Sequence, residues 1–127
     1  MFIALIASSV RVAQNVLKFS YLNIASADRE TFTFANGIRV VFQGDGNFVA
    51  YRDSYAVAAT ASNSPGHKLV LIFQEDGNLV VYNEGELKWA SGTGGTAAGA
   101  DLVIQQVSPY FRIVGSNGYV YYTANEG

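Results

Sequence analysis

The chain has 127 residues, is half hydrophobic, carries a formal net charge of −2 and contains no cysteine. That length suits one domain with a core of its own, and ten acidic against eight scattered basic residues exclude the basic surface that nucleic acid requires. Without cysteine there are no disulfides, thiolate metal sites or cysteine nucleophiles, which suits synthesis in a reducing compartment.

The chain opens with "MFIALIASSV", apolar and rich in small residues, but no basic residue precedes Arg11. Ten such residues are too few to span a bilayer, and the basic start of a signal peptide is missing. The expectation is an N-terminal extension over residues 1–14 that packs as a β-strand on a single domain covering 1–127. A cytoplasmic location, or release by a non-classical route, follows from the same reading, with no membrane insertion. "RVAQNVLKFSYL" is the best helix candidate, yet its β-branched and aromatic residues fit a strand at least as well. Next come "TFTFANGIRVVFQ", "KLVLIFQ", "NLVVY", "DLVIQQ", "YFRIVG" and "GYVYYT". Each is short, β-branched or aromatic, and bounded by Gly, Asn, Asp or Ser, which marks strands and tight turns. "SGTGGTAAGA", residues 91–100, reads as a flexible connection.

An internal repeat organises these pieces. Gln43, Asp45, Asn47, Val49 and Tyr51 of "FQGDGNFVAY" recur 31 residues later as Gln74, Asp76, Asn78, Val80 and Tyr82 of "FQEDGNLVVY". A further step of 32 residues reaches Gln106, Ser108, Tyr110, Arg112 and Val114. In this alignment Val41, Ile72 and Ile104 fall together, as do Ala58, Trp89 and Tyr121. One unit cannot bury its own apolar face, so three must close around a common core with pseudo-threefold symmetry.

The five motif residues occupy alternate positions and share one face of an extended chain, with a tight Asp-Gly turn in the middle. Phe48, Ala50, Leu79 and Val81 lie between them and face the interior. The outward set holds a carboxylate, two amides, a phenol and a small apolar surface, with no nucleophile and no histidine beside them. Such a set suits a neutral ligand with neighbouring hydroxyls, and a sugar ring fits that description.

The pattern Gln-x-Asp-x-Asn-x-Val-x-Tyr, present twice in full, resembles the signature of the monocot mannose-binding lectins, also called bulb-type or B-type. "KWASGTGG" resembles the segment that follows each site in that family. The resemblance covers residues 15–123 and implies a β-prism of three four-stranded antiparallel sheets, one sugar site per sheet. It implies no enzyme activity, no cofactor and no metal. Asp45 and Asn47 would take the axial O2 of mannose, Gln43 its O3 and Tyr51 its O4, with Val49 against the C3–C4 side of the ring. Asp76, Asn78, Gln74, Tyr82 and Val80 take the same roles in the second site. The third register has lost the carboxylate, the amide and the phenol, and it is predicted not to bind mannose. The resemblance also implies a homodimer formed by exchange of the C-terminal strand "GYVYYTANEG".

Departures narrow the reading. The family's disulfide is missing, with Gly46 and Leu69 where its cysteines would stand, and Trp89 is the one tryptophan left. These losses point to a member from outside plants. None of the assigned contacts needs O6, so a 6-deoxy sugar of mannose configuration, D-rhamnose, fits the same motif. An alternative role is therefore an antimicrobial, bacteriocin-like protein that docks on a D-rhamnose- or mannose-containing surface polysaccharide. A calcium loop is excluded by the missing acidic ladder. A glycosidase pair is excluded because Asp45 and Asp76 belong to equivalent places on different sheets. His67, in "SPGHKL", reads as a solvated loop residue.

Overall fold

The computed structural model describes residues 2–5, 10–25 and 30–126; for residues 2–5, 10, 11, 30 and 31 it describes the backbone alone. Among these residues there are fourteen β-strands and no helix. The helix candidate forms short strands, within Val10–Val12, Val16–Phe19 and Tyr21–Ala25, broken by irregular backbone at 13–15 and at Ser20, and it buries Phe19 and Leu22 in a common core.

β1 (Phe2–Leu5) and β2 (Val10–Val12) are followed by three short strands, β3 (Val16–Phe19), β4 (Tyr21–Ala25) and β5 (Glu30–Phe34), each of which enters a different sheet. The repeats then supply three strands apiece. β6 (Arg39–Phe42), β7 (Phe48–Arg52) and β8 (Tyr55–Ala59) continue from β5 as sheet I. β9 (Leu69–Phe73), β10 (Leu79–Asn83) and β11 (Glu86–Ala90) build on β4 as sheet II, and β12 (Asp101–Gln105), β13 (Phe111–Val114) and β14 (Val120–Thr123) build on β3 as sheet III. Each sheet therefore contains four antiparallel strands, the β-prism expected from the repeat. Sheets I and II each gain a fifth, parallel strand beyond that expectation: β2 lies along β5, and β1 along β4.

The inward faces meet in one core. Seven phenylalanines, at 19, 32, 34, 42, 48, 73 and 111, are fully buried, and aromatic pairs cross from sheet to sheet. Phe48 of sheet I stacks on Phe111 of sheet III with centroids 4.5 Å apart, and Phe19 of sheet III lies 5.9 Å from Phe32 of sheet I. Trp89 of sheet II meets Tyr122 of sheet III edge-on at 6.1 Å. Phe48, Ala50, Leu79 and Val81 are fully buried, as alternation requires.

Strand pairing corrects the third register in two places. Val41, Ile72 and Val103 are the equivalent residues, each opposite a motif position on the next strand, so Val103 replaces Ile104. Ala58, Trp89 and Tyr122 are equivalent through Ala50, Val81 and Ile113, so Tyr122 replaces Tyr121. The cause is extra length in the loop before β13 and in the turn before β14, neither of which leaves a mark in residue type.

One turn recurs four times, at 34–38, 43–47, 74–78 and 115–119. In each, the first amide donates to the fifth carbonyl, and the glycine amide at the fourth place donates back to the first carbonyl. The side chain at the third place (Asn36, Asp45, Asp76 or Asn117) accepts from the fifth amide through Oδ1. The Asp-Gly pair is thus a folding device first.

Tyr122 gives a test of the core. Its hydroxyl is buried without a hydrogen-bond partner among the described residues, and burial pushes the phenol up from 10.0 to about 12. A folded-state value above the unfolded one means that the stabilising contribution is intact below pH 10 and is lost as pH rises toward 12. Tyr122→Phe should match or exceed the wild type in urea denaturation at neutral pH, since it removes an unpaired hydroxyl. The gap should widen in favour of the variant above pH 10.

Candidate functional site

Sheets I and II each present the five motif residues at one end of their central hairpin. Gln43 leaves β6, Asp45 and Asn47 lie in the turn, and Val49 and Tyr51 stand on β7; Gln74 through Tyr82 repeat this from β9 to β10. Both Asp residues are exposed, while the Gln, Asn and Tyr residues are half-buried.

Each Asp and Asn is committed on one side to the fold. Asp45 Oδ1 accepts from the Asn47 amide at 2.9 Å, and Asp76 Oδ1 accepts from the Asn78 amide at 3.0 Å, so each turn leaves Oδ2 facing outward. Asn47 Oδ1 accepts from the Ser62 amide at 3.2 Å and from Thr60 Oγ1 at 3.4 Å. Asn78 Oδ1 accepts from Ser91 Oγ at 3.0 Å and from the Gly92 amide at 3.2 Å. With the oxygen held, the carboxamide Nδ2 is left as a donor without a partner among the described residues in both sites.

The segments after β8 and β11 make this possible, and the motif alone did not identify them. Thr60 and Ser62 bond to each other at 2.7 Å, as do Ser91 and Thr93. Ser62 Oγ then donates to the Gly46 carbonyl at 2.7 Å, and Thr93 Oγ1 to the Gly77 carbonyl at 2.6 Å. Residues 91–100, expected to be a flexible connection, instead pack against the second turn: the Gly95 amide donates to the Asp76 carbonyl at 2.8 Å, and Thr93, Ala97 and Ala100 are buried. A hydroxyl pair spaced two apart, repeated 31 residues later, was the available signal.

Gln and Tyr hold each other. Gln43 Nε2 donates to the Tyr51 hydroxyl, and Gln74 Nε2 donates to the Tyr82 hydroxyl at 3.2 Å. Gln43 lies one step beyond the Val41–Val49 pair and Tyr51 one step before it, so this bond crosses over the valine. Val49 and Val80 are accordingly only 3 % and 1 % exposed, forming the floor of the site more than an open apolar plate. The sites differ at their margins. The Arg39 guanidinium sits 5.2 Å from the Tyr51 ring centroid, whereas Val70 holds the equivalent place beside Tyr82.

Beside Asp45, Asn63 Nδ2 donates to Asp45 Oδ2 at 3.2 Å. At the same place in the second site stands Gly94, and a methyl group added there would lie 3.1 Å from Asp76 Oδ2 and 3.3 Å from Asn78 Nδ2. An acceptor and a donor thus converge on one small space, the arrangement that a hydroxyl group satisfies by donating to one and accepting from the other.

The third face departs from the sequence alignment. Tyr110, Arg112 and Val114 fall where expected, but the glutamine at the first position is Gln105, whose amide donates to the Tyr110 carbonyl as Gln43 does to Asn47. Gln106 is the extra residue of a longer loop, its amide turned to the Asn15 carbonyl. Gln105 is buried and spends its Nε2 on the carbonyls of Val107 and Ser108, each at 3.2 Å. Its Oε1 accepts from Arg112 Nη2 at 3.3 Å, and Ser108 Oγ donates to Glu126 Oε1. Tyr110 is buried in the core, so no carboxylate–amide pair remains on this face.

No family profile and no curated protein matches the chain by sequence. Solved structures do match. A monomeric monocot mannose-binding lectin from Gastrodia elata superposes with a TM-score of 0.62 at 20% identity, over 88% of this chain and 97% of that one. The mannose-specific agglutinin of snowdrop (Galanthus nivalis) bulbs, complexed with methyl-α-D-mannoside, gives 0.60 at 26% identity, over 84% and 94%. A Marasmius oreades lectin gives 0.63 at 18% identity, over 94% and 97%. The fold is therefore the β-prism of the monocot mannose-binding lectins.

The turn glycines give a graded test. Gly37, Gly46 and Gly77 all have φ near +90°, but an added Cβ meets nothing at Gly37, lies 2.9 Å from the Ser64 amide nitrogen at Gly46, and lies 2.1 Å from the Ala97 carbonyl oxygen at Gly77. Alanine should therefore cost about 1 kcal/mol at 37, more at 46, and upward of about 3 kcal/mol at 77. Urea denaturation of the three variants checks the order.

Proposed function

We propose that the chain is a metal-independent lectin with two working sites, Gln43–Tyr51 and Gln74–Tyr82, each taking one terminal mannose-type residue. The observation that carries this reading is the convergence of Asp76 Oδ2 and Asn78 Nδ2 on the open space above Gly94. An axial O2 placed there donates to the carboxylate and accepts from the amide. The Gln–Tyr pair, already hydrogen-bonded, offers its remaining valences to O3 and O4. Glucose turns O2 away and leaves both groups unmet, at about 1–3 kcal/mol. The third face, with its polar groups spent internally, is proposed not to bind mannose.

The chain's part is to bind, with no catalytic step. Each shallow site should hold a single mannose at about the millimolar level, roughly −4 kcal/mol. Useful affinity then comes from several sites on one particle, which raise avidity by about 10²–10⁴ on clustered glycans. A homodimer is part of the proposal. In the single chain β14 pairs with β13 and Asn125 bridges Ala59, and exchange between two copies would remake these same pairings in trans.

Titration calorimetry with methyl α-mannoside should show partial loss of binding in Asp45→Ala and in Asp76→Ala, and complete loss in the double variant. Binding retained by the double variant would defeat the assignment. Because no proposed contact reaches O6, methyl D-rhamnoside should bind within about threefold of the mannoside. Binding of the mannoside alone would show that O6 is read.

A further inference from the structure

The two sites share five residues and differ outside the motif, at Arg39 against Val70 beside the tyrosine and at Asn63 against Gly94 beside the aspartate. Asn63 and Gly94 hold equivalent places: the residue before each, Ser62 or Thr93, donates to its turn glycine's carbonyl. The residue after each, Ser64 or Gly95, donates its amide to the aspartate carbonyl, at 2.7 Å and 2.8 Å. Yet Asn63 Nδ2 lies 3.2 Å from Asp45 Oδ2, the one carboxylate oxygen that the turn leaves open, while Asp76 Oδ2 has no hydrogen-bond partner among the described residues.

The geometry points to Asn63 as a built-in competitor for the sugar hydroxyl, making the second site the chain's stronger site for a single residue and the first a restrained one. This rests on the sugar-binding reading above. A hydroxyl arriving at Asp76 exchanges a water for a charge-assisted hydrogen bond. At Asp45 it meets an N–H donor that already serves the same oxygen and must either displace it or share the oxygen with it, so less is gained than at an open carboxylate. The displaced side chain has somewhere to go. Asn63 is exposed, and an open cleft of about 410 Å³ lies beside it, lined by Gly44, Asp45, Ser64, Pro65 and Gly66. The first site is therefore restrained without being closed, and one lost hydrogen bond corresponds to about three- to tenfold in affinity.

The test isolates each site. Asp76→Ala leaves the first site alone, and Asp45→Ala leaves the second; each is titrated with methyl α-mannoside by calorimetry. The first site should bind about three- to tenfold more weakly than the second. Added to Asp76→Ala, Asn63→Gly should bring the first site to the strength of the second. Asn63→Ala removes the competing amide but keeps a Cβ in the place that is open above Gly94, so it should recover only part of the difference. Gly94→Asn added to Asp45→Ala should weaken the second site to a similar degree. Since Asn63 is exposed, its variants should fold as the wild type does, which circular dichroism checks. Equal constants at the two sites, or a first site indifferent to both Asn63 variants, would overturn the inference while mannose binding stands. A wild-type protein that gives no heat with mannose would instead overturn the sugar-binding reading itself.

Discussion

The hydrogen bond from the Asn78 amide to Asp76 Oδ1, and its counterpart at Asp45, is the constraint on which both sites rest. It fixes the turn that lets a hairpin reverse in three residues, and by occupying one carboxylate oxygen it aims the other at solvent. The asparagine is oriented in the same way, its Oδ1 captured by the segment after β8 or β11 so that its Nδ2 donor points to the site. Both carboxylates stay exposed. The site is made by spending half of each polar group on the fold.

That economy explains how one turn serves different ends. At 34–38 and 115–119 the same geometry carries Asn at the third place and a non-carboxamide at the fifth, and the turn is only a turn. At 43–47 and 74–78 the third residue is Asp, the fifth is Asn, and hydroxyl residues on the following segment lock the amide. On the third face the loop is one residue longer, Gln105 is drawn inward, and Tyr110 fills core space where an asparagine would present a donor. The frame is kept because the sheets need it; the carboxylate–amide pair is absent from this face because nothing in the frame requires it.

Much of this was legible before any coordinates. The repeat of Gln43 through Tyr51 at Gln74 through Tyr82 carries both the all-β architecture and the shared outward face, because alternation in a strand leaves no choice about where side chains point. The insertion at Gln106 was not legible. A glutamine stands at 105 and at 106, and residue type could not say which one follows the strand. The packing of residues 91–100 was hidden for a related reason, since small residues read as slack when they are in fact what allows Ala97 to touch Gly77. Asn63 was invisible because it lies outside the motif and acts only through a distance.

The route of the chain through its three sheets also has a consequence in time. β3, β4 and β5 are laid down in succession, one for each sheet, but their partners arrive in the reverse order. β5 meets β6 almost at once, β4 waits for β9, and β3 waits until Leu102 is available to Phe19. As the chain is made from its N-terminus, sheet I can close first and sheet III last. Phe19 and its neighbours stay without their antiparallel partner for most of synthesis, an apolar edge exposed to other nascent chains. The third sheet, whose glutamine is paired internally, is thus the clasp that ends the folding reaction.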